Sequence, residues 1–372
     1  MGKRYLIIGG AGFIGSHLAD ELLQRGHEVR IYDSLVPQVH GDGGTWPIYL
    51  TSAVEAWSGD VRDGDTLARA LGGVDGVFHL AARVGVGQSM YEIADYVAAN
   101  ELGTATLLQL LSQEPVERLV VASSMSIYGE GLCRDPDGRL VAPALRSATQ
   151  LREQRWELVD DRGRPLEPVA TPEDKTPDLA SVYALSKYAQ ERMCLMVGRA
   201  YGIATTALRL FNVFGSRQAL SNPYTGVLAI FAARLMNGRR PLVFEDGLQR
   251  RDFVHVRDVA RAFHLAMTAP AAGNQVLNIG SGRSYPIVYV ARLLAAAVGR
   301  PDLTPEIAGK YRSGDIRHCF ADIERARELL GFTPMHPLET NLDELVSWLD
   351  GQEAEDLVPQ ATAELERRGL VA

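Results

Sequence analysis

Cysteine is scarce in this sequence: Cys133, Cys194 and Cys319 are the only three in 372 residues, odd in number and far apart. That spacing offers neither a disulfide framework nor a metal-ligand pattern, and it suits a reducing compartment, so a cytoplasmic location is expected. Long apolar runs are missing too. No stretch reaches the ~18 consecutive apolar residues of a membrane span. The opening KRYLIIGGAGFIG is too rich in glycine, and too soon a strand and turn, for a signal peptide. Positive charge is not in excess, since 38 Lys and Arg face 46 Asp and Glu for a formal charge of −8. A nucleic-acid surface would need clustered Lys and Arg on a basic domain, so no nucleic-acid partner is expected. The pairs Arg239-Arg240 and Arg250-Arg251 suit a small anionic ligand better.

What is present supports a sizeable core: 46% of residues are hydrophobic and 23% charged. At roughly 150 residues per domain, the length points to two. The first half alternates short β-rich runs (RYLIIGG, EVRIYDS, VDGVFHLAA, VERLVVASS, IATTALRLFNVFG) with helical stretches. Near-continuous apolar strands between amphipathic helices predict a parallel sheet covered on both faces, a doubly wound α/β domain. A charged, proline-rich stretch over 131–176 interrupts this rhythm and reads as a surface insertion. Within it, CRDPDGR and VDDRGRPL each look like a knuckle turn. A structural zinc site needs four ligands, and only Cys133 is there, so no metal is expected. From about residue 210, loops alternate with helices, as in a smaller α/β domain that covers a ligand.

Gly9, Gly12 and Gly15 follow the first strand and open a helix, with Phe13 and Ile14 between the last two. Glycines there allow a tight turn and close approach of backbone to a pyrophosphate, which sits on the helix N-terminus. Asp33 ends the second strand. Its carboxylate accepts hydrogen bonds from ribose hydroxyls and repels a 2′-phosphate, which favours NAD over NADP. Further on, Tyr183 and Lys187 lie four apart in the helical SVYALSKYAQER, so they share one face.

Taken in order, these motifs resemble the extended short-chain dehydrogenase/reductases, in their nucleotide-sugar epimerase/dehydratase group. The likeness covers the chain outside 131–176 and the last twenty or so residues. It implies a Rossmann domain of 1–209 plus 252–280, and a nucleotide-sugar domain of 210–251 plus 281–372. Asp60-Val61 is similar to the pair that contacts adenine. Leu80, Ala81 and Ala82, in HLAA, match the strand end beside the cofactor, and Asn100 a structural asparagine. Ser124 falls on the family's catalytic serine/threonine, with Tyr183 and Lys187 on its active pair. A free tyrosine, with a pKa of about 10, is a poor base at neutral pH. A nearby ammonium and a positive nicotinamide favour its phenolate.

The group's dehydratases carry Asp and Glu after the serine/threonine, where this chain has Met125 and Ser126. Its decarboxylases carry an acid at the Ser126 position. What the resemblance leaves is oxidation of one carbinol and return of the hydride, an NAD-dependent 4-epimerisation of a nucleoside-diphosphate sugar. It implies substrate contacts at Asn212, Arg251, Arg312 and Asp315, with Val86, Val227, Ser124 and Ser126 around the sugar nucleotide. Phe244 either stacks on the base or fills a core. Cys319 either sets sugar-pocket width or is a buried thiol. The alternatives are a 4-ketoreductase or dehydrogenase with the same residues, and a non-catalytic dinucleotide-binding scaffold. A homodimer is expected through two helical segments, ADYVAANELGTATLLQLLSQ and the Tyr183 helix with its continuation.

Overall fold

The computed structural model describes residues 2–372 apart from Ser221, Thr225, Ser313 and Glu353. Seven strands form the main sheet: β1 (Arg4–Ile8), β2 (Glu28–Asp33), β3 (Glu55–Ser58), β4 (Gly76–His79), β5 (Arg118–Ser124), β6 (Ala204–Leu210) and β7 (Gln275–Ile279). They lie in the spatial order 7-6-5-4-1-2-3, and every neighbouring pair is parallel. The winding direction reverses between β1 and β4. Ligands of doubly wound sheets bind at such a switch point, beyond the strands' carboxyl ends.

Side chains alternate across the sheet, as the two-residue period of a strand requires. Tyr5 and Ile7 of β1, Phe78 of β4 and Val120 of β5 join one apolar cluster with helix α1 (Phe13–Gln24) and the Val256–Thr268 helix. Leu6, Ile8, Val77, Leu119 and Val121 join the opposite cluster with α2 (Gly103–Gln113) and α3 (Val182–Tyr201). Both faces are covered, which is why these strands read as continuous apolar runs. Ser181 caps α3, its hydroxyl accepting from Ala184 N at 3.1 Å, and Gly202 ends that helix in the left-handed conformation.

A second apolar core gathers Phe214, Phe231, Val290, Leu294 and Leu345 from later segments. The Glu324–Leu330 helix does not join it. Its Ala326 and Leu330, with Phe332, pack into the first cluster beneath the main sheet. The chain therefore returns to the Rossmann layer within 281–372, a span expected to belong wholly to the second domain. Its apolar side matches the sheet face left open beside β7. The 131–176 stretch forms a small module rather than an irregular loop. Cys133–Arg134 pairs antiparallel with both Leu140–Val141 and Glu167–Pro168, over a core of Cys133, Leu158 and Leu166. Its two knuckle-like turns are closed by carboxylates. Asp135 accepts from Asp137 N and Arg139 N, and Asp160 from Arg162 N and Arg164 N. Among the described residues no helix is long and apolar enough to cross a membrane, and no cluster of three metal-ligating side chains occurs.

Asp252 ties the two cores together. Buried at the crossing between them, it accepts from Ser281 N (2.6 Å), Ser281 Oγ (2.7 Å), Gly282 N (2.9 Å) and Ala321 N (3.3 Å). Asp252→Ala leaves three buried N–H groups unsatisfied and should cost about 3 kcal/mol or more. Urea unfolding of the two proteins measures it; a loss below ~1 kcal/mol would remove this role.

Candidate active site

The three glycines of the first turn are needed for different reasons. Gly9 has φ +84°, and a Cβ there would meet Ala81 N at 2.7 Å; on Gly15 it would meet Gly9 O at 2.3 Å. Fold and packing demand both. Gly12 has an ordinary φ of −71°, and its Cβ would touch only Gly9 O at 3.5 Å. Among the described residues, no side chain caps the helix there, at the N-terminus of α1. Free N–H groups and an open approach suit a pyrophosphate. Phe13 and Ile14 follow in that first turn. Asp33 accepts from Ala11 N at 3.0 Å and Leu35 N at 2.9 Å, so the carboxylate also holds the glycine turn in place.

On the other side of the switch point, Leu80 N and Ala81 N both donate to Ile8 O, which sets Leu80, Ala81 and Ala82 beside the glycine turn. Val61 is wedged against Gly103, where a Cβ would come within 2.3 Å of it. The Asp60 carboxylate is taken up by Arg62, with Nη2 at 2.6 Å. Asn100 is fully buried in a π-helical turn, Val97–Leu102. Its amide donates to Arg83 O and Ser186 Oγ and accepts from Arg83 N. It thereby clamps the loop after β4 to α3.

Tyr183 and Lys187 sit on the buried side of α3, and Ser124 ends β5. The Ser124 oxygen accepts from Ser126 N (3.2 Å) and Ser126 Oγ (2.9 Å), which leaves its own proton for the Tyr183 oxygen. Burial pushes the Tyr183 phenol up, and the Ser124 hydrogen bond opposes that shift. Burial also pulls Lys187 down to about 8. Its ammonium donates to Gln190 Oε1 at 2.7 Å, and Gln190 Nε2 donates onward to Thr104 Oγ1 at 2.8 Å. His79, beside Thr104 at 2.8 Å, is held neutral, with burial and Lys187 lowering it to about 3. Gln190 and Ser89, whose hydroxyl accepts from Tyr183 N at 3.0 Å, were missed from sequence. Gln190 lies three residues after Lys187 on the same helix face, a signal that could have been used.

Asn212, Val227, Phe244, Arg251, Arg312 and Asp315 line one cavity of about 190 Å³. Arg251 is oriented by backbone carbonyls of Arg250 (2.9 Å), Arg317 (3.0 Å) and Ile316. Arg312 lies over the Phe244 ring at 4.9 Å, so one face of that ring is already covered. Three polar atoms of lining residues are buried without a hydrogen-bond partner among the described residues: Asn212 Oδ1, Gln249 Oε1 and Arg312 Nε. A cavity with two arginines and orphaned polar atoms fits a polar, anionic ligand. Gln249 too was missed from sequence. Val86 lines a smaller neighbouring cleft, which shares Arg312 and Asp315. Cys319 lines neither, being fully buried with its thiol 3.9 Å from Thr171 Oγ1 and pushed up to about 12.

The model of the NAD dependent epimerase/dehydratase family matches residues 5–147 and 160–280. This chain belongs to that family. A dTDP-L-rhamnose 4-epimerase of Burkholderia thailandensis is 35% identical over 94% of this chain and 95% of its own length. A UDP-glucose 4-epimerase of Thermotoga maritima, solved with UDP-glucose, superposes with a TM-score of 0.76 at 30% identity, covering 93% of this chain and 98% of its own. The UDP-glucose 4-epimerase of Thermus thermophilus in complex with NAD gives 0.73 at 28%, covering 94% and 100%.

As a family member, the chain uses NAD, for which the glycine turn and Asp33 have the right donors, acceptor and space. When bound, NAD supplies the hydride acceptor and a positive ring that favours the phenolate. The protein's own part is proton handling. Ser124 donates toward Tyr183, and Lys187 is buried on the same helix and donates to Gln190. Met125 is a buried thioether, and Ser126 directs its hydroxyl to Ser124. Neither supplies an acid.

The lowered Lys187 pKa carries a sign. Between about pH 8 and 10.5 the unfolded chain keeps the Lys187 proton that the folded protein releases. More protons bound by the unfolded state means that stability rises with pH there. Nucleotide-free protein should therefore gain stability between pH 8 and 9.5 relative to Lys187→Met, as read from urea midpoints. Equal slopes would refute the shift.

Proposed function

We propose that this chain is an NAD-dependent nucleoside-diphosphate-sugar 4-epimerase. It oxidises C4 to a transient ketone and returns the same hydride to the opposite face. The observation that carries this reading is the Ser124–Tyr183–Lys187 set with no carboxylic acid at Met125 or Ser126. Such a site can move one carbinol proton but has no acid to expel water. The cavity with Arg251 and Arg312 supports a diphosphate anchor, with Asn212 and Asp315 beside it. The likeness to epimerases named for UDP-glucose and dTDP-rhamnose supports a uridine or thymidine diphosphate hexose. On this reading the enzyme serves carbohydrate biosynthesis in the cytoplasm.

The test is a panel of nucleotide sugars without added cofactor, followed by NMR. A C4 epimer should form reversibly with no change in NADH absorbance. Deuterium placed at C4 should stay at C4, and Tyr183→Phe should lose roughly 10² or more in turnover. Solvent deuterium at C3 or C5 would reveal enolisation instead, and stoichiometric NADH would favour the dehydrogenase.

A homodimer is part of the proposal. Helix α3 exposes Leu185 and Met196, and the adjoining π-turn leading into α2 exposes Val97 and Leu102. The two helices pack side by side, and apolar groups left outward on such a surface suit a partner copy. Sedimentation at micromolar concentration should give a dimer; a monomer would overturn it.

A further inference from the structure

One wall of the cavity comes from a helix close to the end of the chain. Val358, Ala361, Thr362 and Leu365 all line it. They occupy one face of the Val358–Arg367 helix. The spacing of three and four residues is that of a single apolar stripe. Acids and arginines cover the remaining sides, where Glu364 pairs with Arg368 and Arg367.

This helix spans both lips of the cavity. On the second-domain side, Lys310 pairs with Glu366 at 2.6 Å. There Tyr311 and Ala372 also exchange backbone hydrogen bonds of 2.9 and 3.1 Å. On the Rossmann side, Leu365 lies so close to Gly87 that a Cβ there would come within 3.2 Å of it. Arg368 stacks over the Tyr91 ring at 4.3 Å, and Tyr91 donates to Tyr224 Oη at 2.7 Å. Tyr224 is itself a lining residue. Leu365 also borders the smaller cleft, whose wall includes Ser181, the cap of the catalytic helix. The helix thus reaches from the diphosphate arginines toward the start of α3.

Resting on the 4-epimerase reading, we propose that the Val358–Arg367 helix is a wall of the nucleotide-sugar site, with Thr362 a specificity-determining residue that touches the bound nucleotide sugar. Of the four lining side chains, only Thr362 carries a polar group. A larger residue there takes up ligand space without touching the NAD turn or the Ser124–Tyr183 pair. A ligand in the cavity lies beneath the helix, so its binding should hold the helix down.

Two measurements test this. Calorimetric titration with UDP, dTDP, CDP and GDP compares the parent chain with Thr362→Trp. At least one nucleotide should bind the parent and bind Thr362→Trp tenfold or more weakly, with NAD content and thermal midpoint unchanged. Affinities within twofold would overturn the inference, and unimpaired turnover of a nucleotide sugar would show that the 4-epimerase reading survives it. Should Thr362→Trp fail to fold, hydrogen exchange of the parent decides. Saturating nucleotide should slow exchange over 358–367 by tenfold or more, and no slowing overturns the proposal. A parent chain that binds none of the four and converts no nucleotide sugar would sink the 4-epimerase reading and this inference together.

Discussion

Helix α3 is pinned along its buried edge by side chains from four other places in the chain, and the site's geometry hangs on that pinning. Ser89 takes Tyr183 N, Asn100 holds Ser186, Thr104 receives Gln190, and Ser123 donates to Glu191. The last contact leads into a buried ion pair, Glu191 with Arg209 at 2.8 Å, and from there to Tyr128 and Asn278. Taking both charges out of water is costly, and removing one partner typically costs about 3–5 kcal/mol. An ion pair in that setting adds little net stability. It allows few alternative positions, so α3 has one register against β5 and β6. Tyr183 and Ser124 then meet without adjustment.

That same burial works against the charges the chemistry needs. In the nucleotide-free protein it pushes the Tyr183 phenol up and the Lys187 ammonium down, so both are driven toward neutrality. The Ser124 hydrogen bond offsets part of the phenol's shift, and nearby Cys194 and Glu191 part of the ammonium's. The remaining bias must come from a positive charge brought close to the phenol, and a bound nicotinamide ring is one. On the proposed reading, proton abstraction would thereby be coupled to cofactor occupancy. A site that becomes a base only when its hydride acceptor is present avoids idle proton transfer.

Much of the main fold could be read from sequence because its signals are local. Continuous apolar strands, the glycine turn and the period of α3 each declare themselves within ten or twenty residues. Asn212, Arg251, Arg312 and Asp315 were expected near one another, and they line one cavity. What escaped notice depends on contacts between distant segments. Nothing in CRDPDGR or VDDRGRPL announces that their module supplies Arg146 to a buried cluster with Glu130, Glu245 and Arg317, or the more exposed Glu157 to its edge. An amphipathic pattern over 358–367 signals a helix but not what it covers. The Glu324–Leu330 helix was misplaced for the same reason, since periodicity marks an apolar face without naming its partner.

The insertion also bears on how the cavity is held. Arg146 donates to Asp315 O at 2.9 Å, and Glu157 pairs with Arg317 and with His318 at 3.1 Å. Both act on the segment that carries Asp315, while the carbonyls of Ile316 and Arg317 fix the Arg251 guanidinium. The module, which the family model matches except over 148–159, therefore braces the segment that orients Arg251. At the end of β5 beside Tyr183, Ser126 offers a hydroxyl and Met125 a thioether, neither bearing charge. On the proposed reading, a nucleotide gripped at the diphosphate with a lightly held sugar is what hydride return to the opposite face requires. The ketone must turn over while its anchor stays put.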